Sequence, residues 1–100
     1  MIRQGDVFWL EAPDLGRRPV MVVTRTEAAA VLRRVVVAPL TRTVRKLRTE
    51  VRFELQPDDV SVASMDNLTT VPVGMLTDYS GASAEGHALC EALKALADCP

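Results

Sequence analysis

At 100 residues, 48% of them apolar, the chain has material for one small core and reads as a single domain over 1–100. Its opening, MIRQGDVFWLEAP, is charged at Arg3, Asp6 and Glu11 and no apolar run nears bilayer-spanning length, so neither a signal peptide nor a membrane anchor is expected and the cytoplasm is the expected location. The net charge of −1 hides a segregation, −2 over residues 1–16, +8 over 17–52 and −7 over 53–100, which excludes a generally cationic protein and points either to a local anion-binding surface or to arginines that pair with later acids.

In chain order, GDVFWLEA (Gly5 to Ala12), PVMVVTR (Pro19 to Arg25), RVVVAPLT (Arg34 to Thr41), EVRFEL (Glu50 to Leu55) and VSVASMD (Val60 to Asp66) are short β-branched or aromatic runs, the pattern of strands. Pro13, Asp14 and Gly16 turn the chain between the first two, and QPDD turns it between the fourth and fifth. TEAAAVL (Thr26 to Leu32) has helical propensity but length for only a turn or two. Pro72 and Gly74 interrupt TTVPVGMLTDYSG, where a short turn and an edge strand are expected. A terminal helix follows, with Ser83 as N-cap, Glu85 in the first turn, an apolar stripe of Ala88, Leu89, Ala92, Leu93, Leu96 and Ala97, and Cys99 and Pro100 as its end. The fold class is mainly β with helices (α+β), a strongly curved sheet or small barrel.

Most catalytic constellations lack their parts. His87, the sole histidine, stands next to the helix stripe and reads as a half-buried structural residue, so a histidine-based hydrolase is not expected. Cys90 and Cys99 lack metal-ligand spacing and read as reduced thiols; Asp58 and Asp59 read as a solvated turn; no glycine-rich phosphate loop is present. Neither a metal nor a cofactor is expected. What remains is arginine, threonine, serine and aspartate at strand ends, a set suited to gripping a phosphodiester. RNA carries its own nucleophile, the 2′-hydroxyl, so a protein that aligns that oxygen and stabilises the charge on phosphorus can cleave it without histidine.

RQGDVFWLE, GRRPVMVVTR, VVVAPLT and SVASMDNLTTVPVGML occur in the order found in the MazF/PemK family of toxin endoribonucleases, which the chain resembles along nearly its whole length. TRTVRKLRTEV and MDNLTTVPV look like a shorter, actinobacterial-type branch. The resemblance implies an SH3-like small barrel of about five to six strands plus a C-terminal α-helix, a homodimer, and a cognate antitoxin whose acidic tail lies over a basic groove. It also implies metal-independent cleavage of single-stranded RNA to a 2′,3′-cyclic phosphate and a 5′-hydroxyl. Arg18 and Thr41 match the family's active-site pair: the arginine would polarise the scissile phosphate and the threonine would hydrogen-bond one of its oxygens. Asp66, ranked below them, matches an acid used as base in some members, with capping a turn or pairing with Arg18 as its structural alternatives. Ser64 departs from the arginine that serves there as acid, and Thr69 from the arginine of a following Arg-Thr pair. The first loop, Ala12 to Gly16, is shorter than in many members, so the cleaved sequence is not inherited. Arg17, Arg25, Arg42, Arg45, Lys46, Arg48, Ser64 and Asn67 are the expected RNA contacts. Two other classes stay open: a CcdB-like gyrase poison and a non-catalytic RNA-binding barrel.

Overall fold

The computed structural model describes residues 1–14, 16–83 and 86–97. Among them, seven strands form one antiparallel sheet: β1 (Asp6–Ala12), β2 (Gly16–Val22), β3 (Arg34–Thr41), β4 (Glu50–Gln56), β5 (Asp59–Ser64), β6 (Thr69–Pro72) and β7 (Leu76–Ala82). The strand path is β4-β5-β3-β2-β1-β7. The edge of β3 away from β2 is shared: β6 pairs with Arg34 to Val37, β5 with Leu40 and Thr41, and the 3₁₀ turn Met65–Asn67 joins β5 to β6 beside the gap. The fifth strand candidate therefore ends at Ser64, and its last two residues open the turn.

The five expected strands are all present, and the segment around Pro72 and Gly74 supplies the expected short turn and edge strand, β7, together with one strand that was not expected, β6. Pro72 closes β6 at the end of its ladder, where the missing N–H is tolerated, and a second 3₁₀ turn, Val73–Met75, leads into β7. The sheet curls until its end strands approach one another. Gly81 on β7 lies against Phe53 on β4 so closely that an added Cβ would stand 3.2 Å from Phe53 Cζ, and its φ of +126° suits glycine.

Strand alternation produces two apolar layers. Met21 and its cross-strand partner Ala38 join Val7, Leu40, Val51, Phe53, Ala63 and Met65 under the terminal helix α2 (Gly86–Leu96), which contributes Leu89 and Ala92. Val22 and its partner Val37 face the other way, with Leu10, Val20, Val35 and Val71, covered in part by Ala29 of the single-turn helix α1 (Thr26–Ala29). Burial of β2 on both faces explains its unbroken PVMV run.

The helix stripe packs through Ala88, Leu89, Ala92 and Leu93, whereas Leu96 and Ala97 at its end are exposed, and His87 is exposed rather than half-buried, one step off the packed face. The Ser83 N–H donates to the Gly5 carbonyl at 2.9 Å; Glu85, Cys99 and Pro100 lie outside the described residues. No described helix is long and apolar enough to cross a membrane.

Candidate nucleic-acid site

Arg17 and Arg18 are neighbours on β2, and the pleat sends them to opposite faces. Arg17 is fully engaged. It donates to Glu11 through Nε at 3.1 Å and to Asp78 through Nη2, and its guanidinium lies 4.4 Å from the Trp9 ring centroid. The hydrogen bond to Asp78, ahead of that to Glu11, pushes its pKa further above the ordinary arginine value, against a smaller opposing effect of desolvation. Trp9 is half-buried beneath it, and Phe8 packs edge-on to Tyr79 at 5.6 Å, so neither aromatic of the first strand enters the core completely.

Arg18 is exposed and makes no ion pair among the described residues. It stands opposite Leu10 of β1. On its other side the β2–β3 register runs from Val22↔Val37 to Val20↔Pro39, and the ladder ends at Pro39, which has no N–H to donate. Continued two residues, that register carries Arg18 level with Thr41, on the face of Val20 and Val37. Thr41 in turn stands opposite Val62 of β5, and Val62 opposite Arg52 of β4. Extended along that register, Arg18 falls in line with the paired row of Thr41, Val62 and Arg52. At about 4.8 Å per strand, the two arginine backbones are about 14 Å apart.

Thr41 Oγ1 accepts the Thr43 N–H at 3.2 Å, which leaves its own O–H free to donate. Ser64, two residues beyond Val62, is on the same face; it is buried, and Asn67 Nδ2 donates to its Oγ at 3.3 Å. Asp66 is exposed in the 3₁₀ turn. Among the described residues it pairs with no arginine; instead its Oδ2 accepts the Thr49 hydroxyl at 2.5 Å. Neither structural alternative for Asp66 is observed: it stands inside the turn without capping it, and its partner is Thr49 rather than Arg18.

The basic segment after Thr41 is held down by two acids. Glu50, opposite Ser64, accepts the backbone N–H groups of Arg45 at 3.2 Å and Leu47 at 3.3 Å. This draws residues 45–47 beside the face that carries Thr41. Arg42 forms a two-pronged pair with Asp59 at 3.0 and 2.9 Å. Arg45, Lys46 and Arg48 are exposed; Lys46 adopts φ 57°, and Arg48 lines a cavity together with Glu91, Lys94 and Ala95 of α2. Arg25 is also exposed, 3.8 Å from Glu27, next to α1 and away from the row.

Two residues of this neighbourhood were not singled out by the sequence. Arg52 lies within the strand candidate EVRFEL, and only the β4–β5 register aligns it with Thr41. Thr49 reads as a strand leader, and its contact with Asp66 spans 17 residues.

Comparison with known proteins bears on this arrangement. Residues 3–98 match the model of the PemK-like, MazF-like toxins of type II toxin–antitoxin systems. The chain belongs to this family. It is 39% identical to the Mycobacterium tuberculosis protein named "Probable endoribonuclease MazF5", over 96% of this chain and 93% of that one. It is 44% identical to endoribonuclease MazF3 of the same organism, over 76% and 78%. Among solved structures, Mycobacterium tuberculosis toxin MazF-mt6 superposes with a TM-score of 0.80 at 33% identity, covering 95% of this chain and 98% of that one. The curled sheet with its terminal helix is the MazF fold. Among the described residues, no group of three or more His, Cys, Asp and Glu side chains is arranged to hold a metal ion.

Proposed function

We propose that this MazF-family toxin is an endoribonuclease that binds single-stranded RNA across the Arg18–Thr41 row and cleaves it through the 2′-hydroxyl. The observation that carries the reading is the contrast on β2: Arg17 is consumed by Glu11, Asp78 and Trp9, while Arg18 is left unpaired on the face that carries Thr41. An exposed guanidinium and a hydroxyl free to donate are the two groups a scissile phosphate needs. Arg52, in the same row, and Arg45 and Lys46 on the adjoining loop would hold flanking phosphates.

In the reaction the 2′-oxygen bonds to phosphorus as the bond from phosphorus to the 5′-oxygen breaks. The 2′-hydroxyl proton passes to the Asp66 carboxylate, and the departing 5′-oxygen takes a proton from water. A 2′,3′-cyclic phosphate and a 5′-hydroxyl result. Arg18 acts by charge: its fork counters the negative charge that builds on the equatorial oxygens. Serine at position 64 leaves no arginine there to act as acid, consistent with protonation of the leaving group by water.

Family membership supports a cognate antitoxin as partner, and an acidic segment is the natural complement to the basic residues of 17–52. A second copy of the chain is the other proposed partner, detectable by sedimentation velocity as a species of twice the chain mass.

Incubation of the purified protein with single-stranded RNA in excess EDTA, followed by mapping of the product ends, tests the proposal. Cyclic-phosphate ends are expected, and Arg18→Ala and Thr41→Ala should each lower the cleavage rate by about a hundredfold. RNA that stays intact across varied sequences and salt concentrations would sink the nuclease, and gyrase inhibition would become the next assay. Binding without cleavage would support the non-catalytic barrel.

A further inference from the structure

We infer that Thr49 is a positioning residue for the cleavage step, holding the Asp66 carboxylate by one oxygen so that the other is aimed at the RNA; this rests on the reading of Asp66 as the base. Thr49 is only 9% exposed, yet its hydroxyl donates outward to an exposed carboxylate. A carboxylate on a surface turn has water for all its lone pairs and needs no buried donor to satisfy it. Left to solvent, it turns freely about its last torsion. A donor that is itself fixed removes that freedom.

Thr49 is fixed in three ways. Its Cβ is branched, which narrows its rotamer choice. Its side chain is packed at the junction of the basic loop and β4. Its carbonyl accepts the Met65 N–H at 2.9 Å, so consecutive residues of the turn, Met65 and Asp66, are tied to the same threonine. Met65 is 1% exposed and anchors the turn in the core. The carboxylate is therefore referenced to the sheet rather than to a mobile loop.

This matters for the chemistry. With Oδ2 occupied by the Thr49 hydroxyl, Oδ1 is the oxygen left to accept the proton from the 2′-hydroxyl. As that proton arrives on Oδ1, the 2′-oxygen closes on phosphorus, the 5′-oxygen departs with a proton from water, and Asp66 later returns its proton to solvent. Thr49 touches neither RNA nor the transferred proton. Its contribution is orientation, where small displacements carry large rate penalties.

The purely structural account is that Thr49 only stabilises the turn, and a double-mutant cycle on the full chain separates the two. With a single-stranded RNA whose cleavage by the unsubstituted chain has been mapped, Thr49→Val should lower kcat about tenfold and leave KM within about twofold. Thr49→Ser, which restores the hydroxyl, should recover the rate to within about threefold. Thr49→Val combined with Asp66→Asn should be no slower than Asp66→Asn alone, because the hydroxyl then has no base to orient. Melting temperatures are measured on each variant, and Thr49→Ala is read in the same cycle should the valine variant fail to fold. Wild-type kcat in Thr49→Val, a serine variant as slow as valine, or losses that multiply in the double variant would overturn the proposal alone. RNA left intact by the unsubstituted chain would overturn the nuclease reading and this proposal with it.

Discussion

Two adjacent arginines divide the work of the segment GRRP. In solution both are permanently charged, and in sequence only their neighbours distinguish them. The pleat separates them, and Asp78, 61 residues away, takes Arg17 out of circulation. The raised pKa of Arg17 has no consequence near neutral pH: its stabilising contribution is complete below the unfolded value and is lost only as pH rises through the still higher folded one. Arg17→Ala should therefore cost a small drop in melting temperature, steady across neutral pH, and leave single-turnover cleavage within about threefold, whereas Arg18→Ala removes charge stabilisation worth about a hundredfold. Equal losses from the two substitutions would show that the ion pairs of Arg17 open when RNA binds. The family resemblance carried by GRRPVMVV and VVVAPLT singles out Arg18 and Thr41 in the sequence. Sequence did not show that Arg17 has partners, because Glu11 and Asp78 reach it only once β1 and β7 are folded alongside.

At the scale of elements, strand existence was legible and strand number was not. Five runs carried the alternating or continuous apolar pattern of strands, and each is one. The segment from Thr69 to Ala82 gives the turn and the edge strand expected of it, β7, but Pro72 and Gly74 hid one more, β6, and Gly81 stands near the end of β7. Their roles are positional: Pro72 ends β6, Gly74 lies in the 3₁₀ turn, and Gly81 lets β7 close on β4. That closure brings Gly81 against Phe53. Alanine at position 81 would have to hold φ near +126° and push Phe53 aside, so Gly81→Ala should destabilise the protein by about 1–3 kcal/mol, read as a lower urea midpoint at unchanged slope. A midpoint equal to that of the unsubstituted chain would mean that the end strands are free to part. The 42–48 segment was legible as basic but not as ordered, since its restraint comes from Glu50 and Asp59 rather than from its own residues.

Across the whole molecule, the charge segregation shows one of the arrangements it allowed, pairing of arginines with later acids, and leaves other basic residues exposed. Acids from the last half reach back to Arg17 and Arg42, while Arg18, Arg45, Lys46 and Arg52 keep their exposure on or beside the Thr41 face. A count of charges therefore overstates the number of phosphates the surface neutralises, and salt dependence measures the true number. Each phosphate neutralised on a single strand contributes roughly −0.7 to the slope of log affinity against log salt. Reversing Arg45 and Lys46 to glutamate should make the slope shallower by about 1.4, if each holds one phosphate. Arg42→Ala should change it much less, because a guanidinium already neutralised by Asp59 displaces few counterions from the RNA. Affinities from fluorescence anisotropy on a slow-cleaving Thr41→Ala background, taken over a fourfold range of salt, give these slopes directly. A slope unchanged by the double reversal would remove the loop from the RNA path and leave the Arg18–Arg52 row to carry the backbone alone.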